Sequence, residues 1–471
     1  PELFGPERTT VIRGGYGLFY DQILGAVVSQ SRNVYPTYST LDLAGGFANL
    51  RFIPGNNRFG DSCQLANRCP FQFLNPQSST INGVPLVQPG TLNTLNPAIT
   101  FAQLAGIANL VGGGPVPALS GFGLTLPTRR LDMPMAHQYS FTWDQQLARN
   151  FVVSAAYIGT QGRKLLRFTT PNLGRNALLT PLAFSTVLSA EPMFFGLALP
   201  PGAHITSSGN ITGGRPQSTV GAVTQFETTA SSGYDALQLQ ARGRFRRGLQ
   251  YQVGYTLSKT TDDASDVFDL AGAYALPQNS LTLAGESGPA NFDVRQRFSY
   301  NFIYDFPGSP ESIGQSRLLR AVTNGLQIAG TGQFQTAQPF TVNSIFDVNL
   351  DGNLTDRLDN TNGLVVTGDR AQPLRLTTSN TFSMLAPIGQ DGRIDRNTFR
   401  AGSVLELDLA VVKSFSITAK QKLVLRADIF NLINRSNFAI PVRLLEAPGF
   451  GTATSTVTAG RRFQVGLKYS F

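Results

Sequence analysis

The chain of 471 residues carries a formal net charge of +9, yet only 14 % of its residues are charged, against about a quarter in ordinary globular proteins. Hydrophobic residues make up 41 %, and no apolar run reaches the about 18 residues that a membrane helix needs, so a helical membrane protein is excluded. The basic residues are scattered rather than gathered into a block or helix stripe, which argues against a nucleic-acid partner. A wet lumen or an acidic lipopolysaccharide surface accounts for the charge equally well.

From the N-terminus, TVIRGGYGLFY (10–20) alternates with a period of two and sets Ile12, Tyr16, Leu18 and Tyr20 on one face. Cys63 and Cys69 lie in the loop-like stretch DSCQLANRCP. With no further ligands nearby for zinc, they read as a local disulfide, which implies an oxidising compartment. The stretch ITFAQLAGIANLVGGG (99–114) is broken by Gln103, Asn109 and three glycines and reads as a loop or short surface helix. HQYSFTWDQQLARN (137–150) sets Tyr139, Phe141 and Trp143 against Gln138, Ser140, Thr142 and Asp144, and FVVSAAYIGT (151–160) follows almost directly. YDALQLQARGRF (234–245) opposes Leu237, Leu239, Ala241 and Phe245 to Gln238, Gln240, Arg242 and Arg244. LQYQVGYTLS (249–258) opposes Leu249, Tyr251, Val253, Tyr255 and Leu257 to Gln250, Gln252, Thr256 and Ser258. VRQRFSYNFIYDF (294–306) aligns Phe298, Tyr300, Phe302, Tyr304 and Phe306, with Arg295 and Arg297 on the opposite parity.

GLQIAGTGQFQT (325–336), SVLELDLAVVKSFSI (403–417) and KLVLRADIFNLI (422–433) continue the pattern. The closing strand, RRFQVGLKYSF (461–471), sets Phe463, Val465, Leu467, Tyr469 and Phe471 against Arg462, Gln464, Gly466, Lys468 and Ser470. About ten strands result, most near the 9–11 residues that a tilted membrane strand needs. A single strand of this kind also fits the core of a soluble sandwich.

The links decide between those readings. Those around 149–151, 245–249 and 417–422 are tight hairpins, and 306–325 is of medium length. The alternate links, at about 21–136, 161–232, 259–293, 337–402 and 434–460, are long. Short periplasmic turns alternating with long extracellular loops are the pattern of an outer-membrane barrel, whereas Greek-key crossovers give no such alternation. The expected fold is therefore all-β, a transmembrane antiparallel β-barrel in the bacterial outer membrane. Its apolar parity meets lipid, and its polar parity (Gln238, Gln240, Arg242, Arg244, Gln250, Gln252, Arg295, Arg297) faces the lumen. Lys413 shares the lipid parity but lies near the periplasmic end, where it can snorkel.

VIRGGYGLFYD (11–21), SAAYIGTQGRKL (154–165), YDALQLQARGRF, NFDVRQRFSYNFIYDFP (291–307), LRADIFNLINRSNF (425–438) and the closing strand together resemble the C-terminal barrel portion of a TonB-dependent receptor. The flavour is that of the Oar-like group with a carboxypeptidase-regulatory-like N-terminal domain. The resemblance covers nearly all the strands and few of the loops. It implies a 22-stranded barrel around a plug, opened by a periplasmic TonB protein, and import of a bulky scarce nutrient such as a carbohydrate, peptide or metal chelate. The alternating C-terminal strand ending on Phe471 resembles the signal read by the outer-membrane assembly machinery. No plug, TonB box, initiator Met or signal peptide is found, so the chain is expected to be processed or a fragment, supplying barrel wall and outer loops.

Other classes are weighed beside this one. In FDVNLDGNLTDRLDN (346–360), Asp347, Asn349 and Asp351 alternate before Gly352, as in the first half of a calcium loop. Leu358 stands where an EF-hand has Glu, so Asp356 or Asp359 would have to complete a structural calcium site, and a plain turn-rich surface loop is the favoured alternative. No other cofactor is expected. A hydrolase of the barrel wall would need a base at the outer rim, and the only histidines, His137 and His204, have no acidic partner placed by sequence, so no enzyme is expected. An adhesin or passive porin would use the same scaffold.

Overall fold

The structure is a computed structural model. It describes residues 8–22, 124–172, 223–245, 248–266, 275–306, 322–344 and 355–471 except 388, 419 and 448, together with 348, 349, 351, 353 and three two-residue strand pairs (80–81 with 84–85, 193–194 with 197–198, 204–205 with 211–212). Cys63, Cys69 and Asp347 lie outside these residues.

Ten strands form the main path of one twelve-stranded sheet, in chain order: β1 (Thr10–Tyr20), β2 (Met135–Ala148), β3 (Phe151–Thr169), β4 (Val223–Arg244), β5 (Leu249–Asp262), β6 (Gln296–Asp305), β7 (Leu326–Gln335), β8 (Val404–Ser416), β9 (Lys422–Phe430) and β10 (Arg462–Ser470); off it, Gly288–Pro289 pairs with the end of β5. Every neighbouring pair along this path is antiparallel, so the path is a plain meander with no crossover. Period-two sequences joined by short links pair as antiparallel hairpins, and sequential strands are usually neighbours. Among the described residues β1 and β10 each have one neighbour, and the sheet is open at both edges.

The tight links sit at one end of the sheet. At the β4–β5 link the N–H of Phe245 donates to the Leu249 carbonyl at 2.8 Å, and Gly248 turns the chain at φ +88°. A Cβ on Gly248 would meet the Asp305 carbonyl oxygen at 2.2 Å, so both conformation and space require glycine there. The long links gather at the opposite end, termed here the loop end.

β3 and β4 outrun their expected bounds. β3 continues to Thr169 and β4 begins at Val223, so residues 161–169 and 223–232 are strand rather than part of a 161–232 loop. The short strand Leu124–Pro127 runs parallel to the start of β4. The alternation stops at the end of β3, where Arg167, Phe168 and Thr169 are buried in succession. Phe168 and Phe226 meet edge to face at 6.1 Å and are fully buried, with Leu131, Leu166 and Leu276 around them. A strand buried on both sides carries no polar parity to read.

The links 337–402 and 434–460 are likewise folded. Phe340, Val342, Leu358, Leu374, Met384, Phe399, Leu445 and Phe450 form a core at the loop end. Pro339–Phe340 pairs with Phe399–Arg400, and Leu364–Val366 with Leu374–Leu376. In contrast, the sheet buries little between its strands and any second layer. Phe463, Val465 and Leu467 are 69 %, 72 % and 70 % exposed, and Phe141, Tyr157, Leu237, Leu239, Leu257 and Phe298 are also exposed. One contiguous exposed apolar parity of this extent is a surface for a membrane or a partner, not for water.

Candidate binding platform at the loop end

The register sorts the side chains of the sheet into two faces. Gln238, Gln240, Arg242 and Arg244 stand opposite Thr256, Gly254, Gln252 and Gln250 on β5, which in turn stand opposite Arg297, Ser299, Asn301 and Ile303 on β6. The expected polar residues are thus brought together on one face. Arg295 lies just before β6, where its carbonyl accepts from Ser258 N–H at 3.0 Å. The face continues through Gln333 and Glu406 on β7 and β8.

The opposite face carries rings laid over glycines. Tyr139 faces Gly159, Tyr251 faces Gly243, Tyr300 faces Gly332 and Phe302 faces Gly330, each as a direct cross-strand pair. A Cβ on Gly159 would lie 2.1 Å from the Tyr139 ring, so the glycine gives the ring its seat. From there Tyr139 Oη donates to Asp235 Oδ1 at 3.0 Å, and Tyr157 Oη donates to the same oxygen at 2.7 Å. His137 Nδ1 lies 2.7 Å from Tyr16 Oη. This polar rim interrupts the apolar parity on the loop-end side of its strands. Lys413, on the apolar parity near the tight-turn end, donates to the carbonyls of Val322 and Asn324 and lies over the Phe415 ring.

At the loop end, Arg–carboxylate pairs, each with at least one buried partner, stitch the links together. Arg357 reaches Glu286 at 2.8 Å with both side chains 6 % exposed, while its Nε donates to Gln278 Oε1 at 2.8 Å. Arg396 pairs with Asp262, Arg400 pairs with Asp293 at 2.9 Å, and Arg167 pairs with Asp263 at 2.6 Å. The 337–402 link thereby clamps the 259–293 link, and the latter also holds the end of β3. The sequence reading missed these pairs. The dense run DGRIDRNTFR (391–400), in a chain poor in charge, was the available signal.

The described part of 346–360 lies in the same buried network. Asn349 Oδ1 accepts from Asp351 N–H at 3.0 Å, and Asp351 Oδ1 accepts from Asn353 N–H at 2.8 Å. Asn349 Nδ2 donates to Asp391 Oδ1 at 2.8 Å, and Asp356 accepts from Val348 N–H at 3.0 Å. So the loop is buried rather than the surface loop favoured from sequence: Asn349, Asp351 and Asp356 are 4 %, 4 % and 1 % exposed. Among the described residues no group of three or more His, Cys, Asp or Glu is arranged for a metal.

Burial, helped by the negative charge of Asp391, pushes the Asp351 carboxyl up to about 6 from 3.8. A carboxyl that titrates higher in the fold than in the free chain binds its proton more tightly when folded. Its contribution to stability is greatest below the free value and falls as pH rises through the range between the two. Lowering the pH from about 7.5 to about 5 in EGTA is expected to raise amide protection in 348–360, taken as exchange relative to the intrinsic rate at each pH, and Asp351→Asn is expected to remove most of that rise, worth about 1–3 kcal/mol. The same experiment with calcium tests the structural cation that the spacing raised beside the favoured surface loop. Ligation by Asp351 would slow exchange at the higher pH in the parent and not in the variant.

The chain matches the family model of the outer membrane beta barrel domain over residues 3–464. It belongs to that family. The protein is therefore a β-barrel protein of the bacterial outer membrane, and an exposed apolar parity is what a lipid-facing wall requires. The polar rim of Tyr16, His137, Tyr139, Tyr157 and Asp235 fits the headgroup level, where aromatic rings with a wet end settle and where a carboxylate is tolerated.

Among solved structures the barrel is similar to the outer membrane transporter YddB from Escherichia coli, at 12 % identity and a TM-score of 0.38, covering 74 % of this chain and 34 % of that one. It is similar to the FrpB iron transporter from Neisseria meningitidis at 12 % identity and 0.34, covering 74 % and 33 %. It is similar to the pyoverdine outer membrane receptor FpvA from Pseudomonas aeruginosa, bound to pyoverdine, at 12 % identity and 0.33, covering 72 % and 30 %. The aligned part spans about a third of the length of each, and at these TM-scores no argument rests on the likeness. No curated protein matches the chain.

Proposed function

We propose that this outer-membrane barrel protein takes part in TonB-dependent uptake of a bulky, scarce nutrient, its strands forming wall and its long links forming the outer recognition surface. The folded loop end carries this reading. Links of the length expected for loose loops are instead packed on a shared apolar core and clamped by ion pairs, of which Arg357–Glu286 is buried on both sides. A passive pore needs no such preorganised platform, whereas selective capture does.

In this reading the long links face outward, and Gln238, Gln240, Arg242, Arg244, Gln250, Gln252, Arg295 and Arg297 line the lumen. The open edges at β1 and β10 support a larger barrel, because unpaired strand edges are not tolerated in lipid. Further strands, a plug and a TonB-contacting segment would complete the transporter. The assembly machinery would read the last strand, whose Phe463, Val465, Leu467 and Tyr469 stand opposite Ile429, Ala427, Leu425 and Leu423, and whose Phe471 stacks on Tyr469 at 5.8 Å.

The test is uptake of labelled oligosaccharides, peptides and ferric chelates by cells with and without the intact gene, before and after collapse of the proton gradient. Gene-dependent uptake that stops with the gradient is the expected result. Uptake that survives collapse would make the protein a passive pore. Unchanged uptake with lost surface attachment would make it an adhesin.

A further inference from the structure

We infer that the polar face holds a subsite for one ring of a neutral, polyhydroxylated ligand, a pyranose unit of a carbohydrate, where β7 and β8 meet the loop end. This inference rests on the uptake reading above and names a substrate class for it.

A cavity of about 190 Å³ lies there, lined chiefly by Gln333, Gln335, Gln338, Val404, Phe438 and Ile440. Its floor is on the polar face. Gln333 and Gln335 share one parity of β7 and stand opposite Glu406 and Val404 on β8. Its far side comes from the links: the Gln338 carbonyl accepts from Ala401 N–H at 2.9 Å, and Phe438 forms a bridge with Thr456 that fixes the segment. A ligand descending between the links would reach this cavity on entering the polar face.

The lining specifies a chemistry. The Nη2 of Arg297 donates to Gln333 Oε1 at 3.0 Å. Because a guanidinium only donates, the Gln333 carboxamide is oriented with its NH₂ available. The carboxamides of Gln335 and Gln338 make no hydrogen bond with the described residues, so each offers both a donor and an acceptor. No ionised side chain lines the cavity, while Phe438, Ile440, Val404 and Val457 supply an apolar wall. A pyranose ring matches this arrangement, with hydroxyls around its rim for carboxamides and a C–H face for an aromatic or aliphatic wall. The adjoining Arg297 guanidinium is turned to Gln333 Oε1, so an anionic ferric chelate in the cavity would meet carboxamides rather than a lining cation. The volume is below the about 300 Å³ at which whole-ligand pockets begin, so the cavity takes one unit of a longer chain.

The experiment is equilibrium binding of the full-length protein in detergent to an array of neutral oligosaccharides built from glucose, xylose, mannose and N-acetylglucosamine, with anionic ferric chelates and peptides as further probes. Binding of a neutral oligosaccharide is expected, weakened about tenfold by Gln335→Leu, which keeps the size and removes the hydrogen bonds, and likewise by Phe438→Ala. Folding of each variant is checked by the heat-dependent gel shift of intact barrels. Lys420→Ala, in the exposed tight turn at the opposite end of the sheet, should leave affinity unchanged, and Gln338→Leu serves where Phe438→Ala fails to fold. Binding of only chelates or peptides, no binding at all, or oligosaccharide binding indifferent to Gln335→Leu would each overturn the subsite. The uptake reading stands or falls separately on the gradient experiment.

Discussion

Replacing Leu239 with arginine is expected to cost about 2–4 kcal/mol of barrel stability in lipid, whereas the same replacement at the adjacent Gln240 should stay within about 0.5 kcal/mol. Leu239 lies in the middle of the wall-forming half of β4, opposite Ala155 and Tyr255, on the exposed apolar parity. An arginine there carries a charge into hydrocarbon with no partner in reach. Gln240 points the other way, opposite Ser154 and Gly254, among groups that already meet water. Urea unfolding in liposomes measures both. Equal costs at the two positions would mean that the faces have been assigned wrongly.

Replacing Arg357 with methionine is expected to unfasten the loop end by about 3–5 kcal/mol while leaving the sheet intact. The guanidinium serves Glu286 Oε1, Gln278 Oε1 and the Gly285 carbonyl together, in a site closed to solvent. Its removal leaves the Glu286 carboxylate buried without a counter-charge. Faster amide exchange should appear in 278–286 and 355–360 and not in β5 or β6. The double variant Arg357→Met with Glu286→Leu should recover much of the loss, because removing both charges also removes the desolvation cost.

The ten sheet strands were legible because half of each is written in one physical language, a period of two between lipid and water. β1 was read with its observed bounds, and β7 and β10 within a residue at each end. Where that contrast ends, legibility ends. The end of β3 buries Arg167, Phe168 and Thr169 in succession, and the buried parity at the start of β4 (Phe226, Thr228, Ala230) holds one large apolar residue, so no hydrophobic alternation marks either. The loop core was invisible for a related reason: its members, from Phe340 to Phe450, come from two links and carry no regular spacing. Parity did bring the polar-face residues together, Gln333 and Gln335 included, but not Phe438, whose place beside them depends on how the links fold over the sheet. The 346–360 segment was read as a motif of alternating oxygens. Its burial follows from Gln278, Asp391 and Thr170, contributed by three other parts of the chain.

The most direct measurement is a spin-label scan of residues 237–242 in the full-length protein in liposomes, with Cys63 and Cys69 replaced by serine. Collisional access should alternate strictly, with labels at 237, 239 and 241 open to oxygen dissolved in the bilayer and labels at 238, 240 and 242 open to a water-soluble nickel complex. Access to the nickel complex at all six positions, or the reverse alternation, would contradict a wall with lipid on its apolar face and a wet lumen on the other.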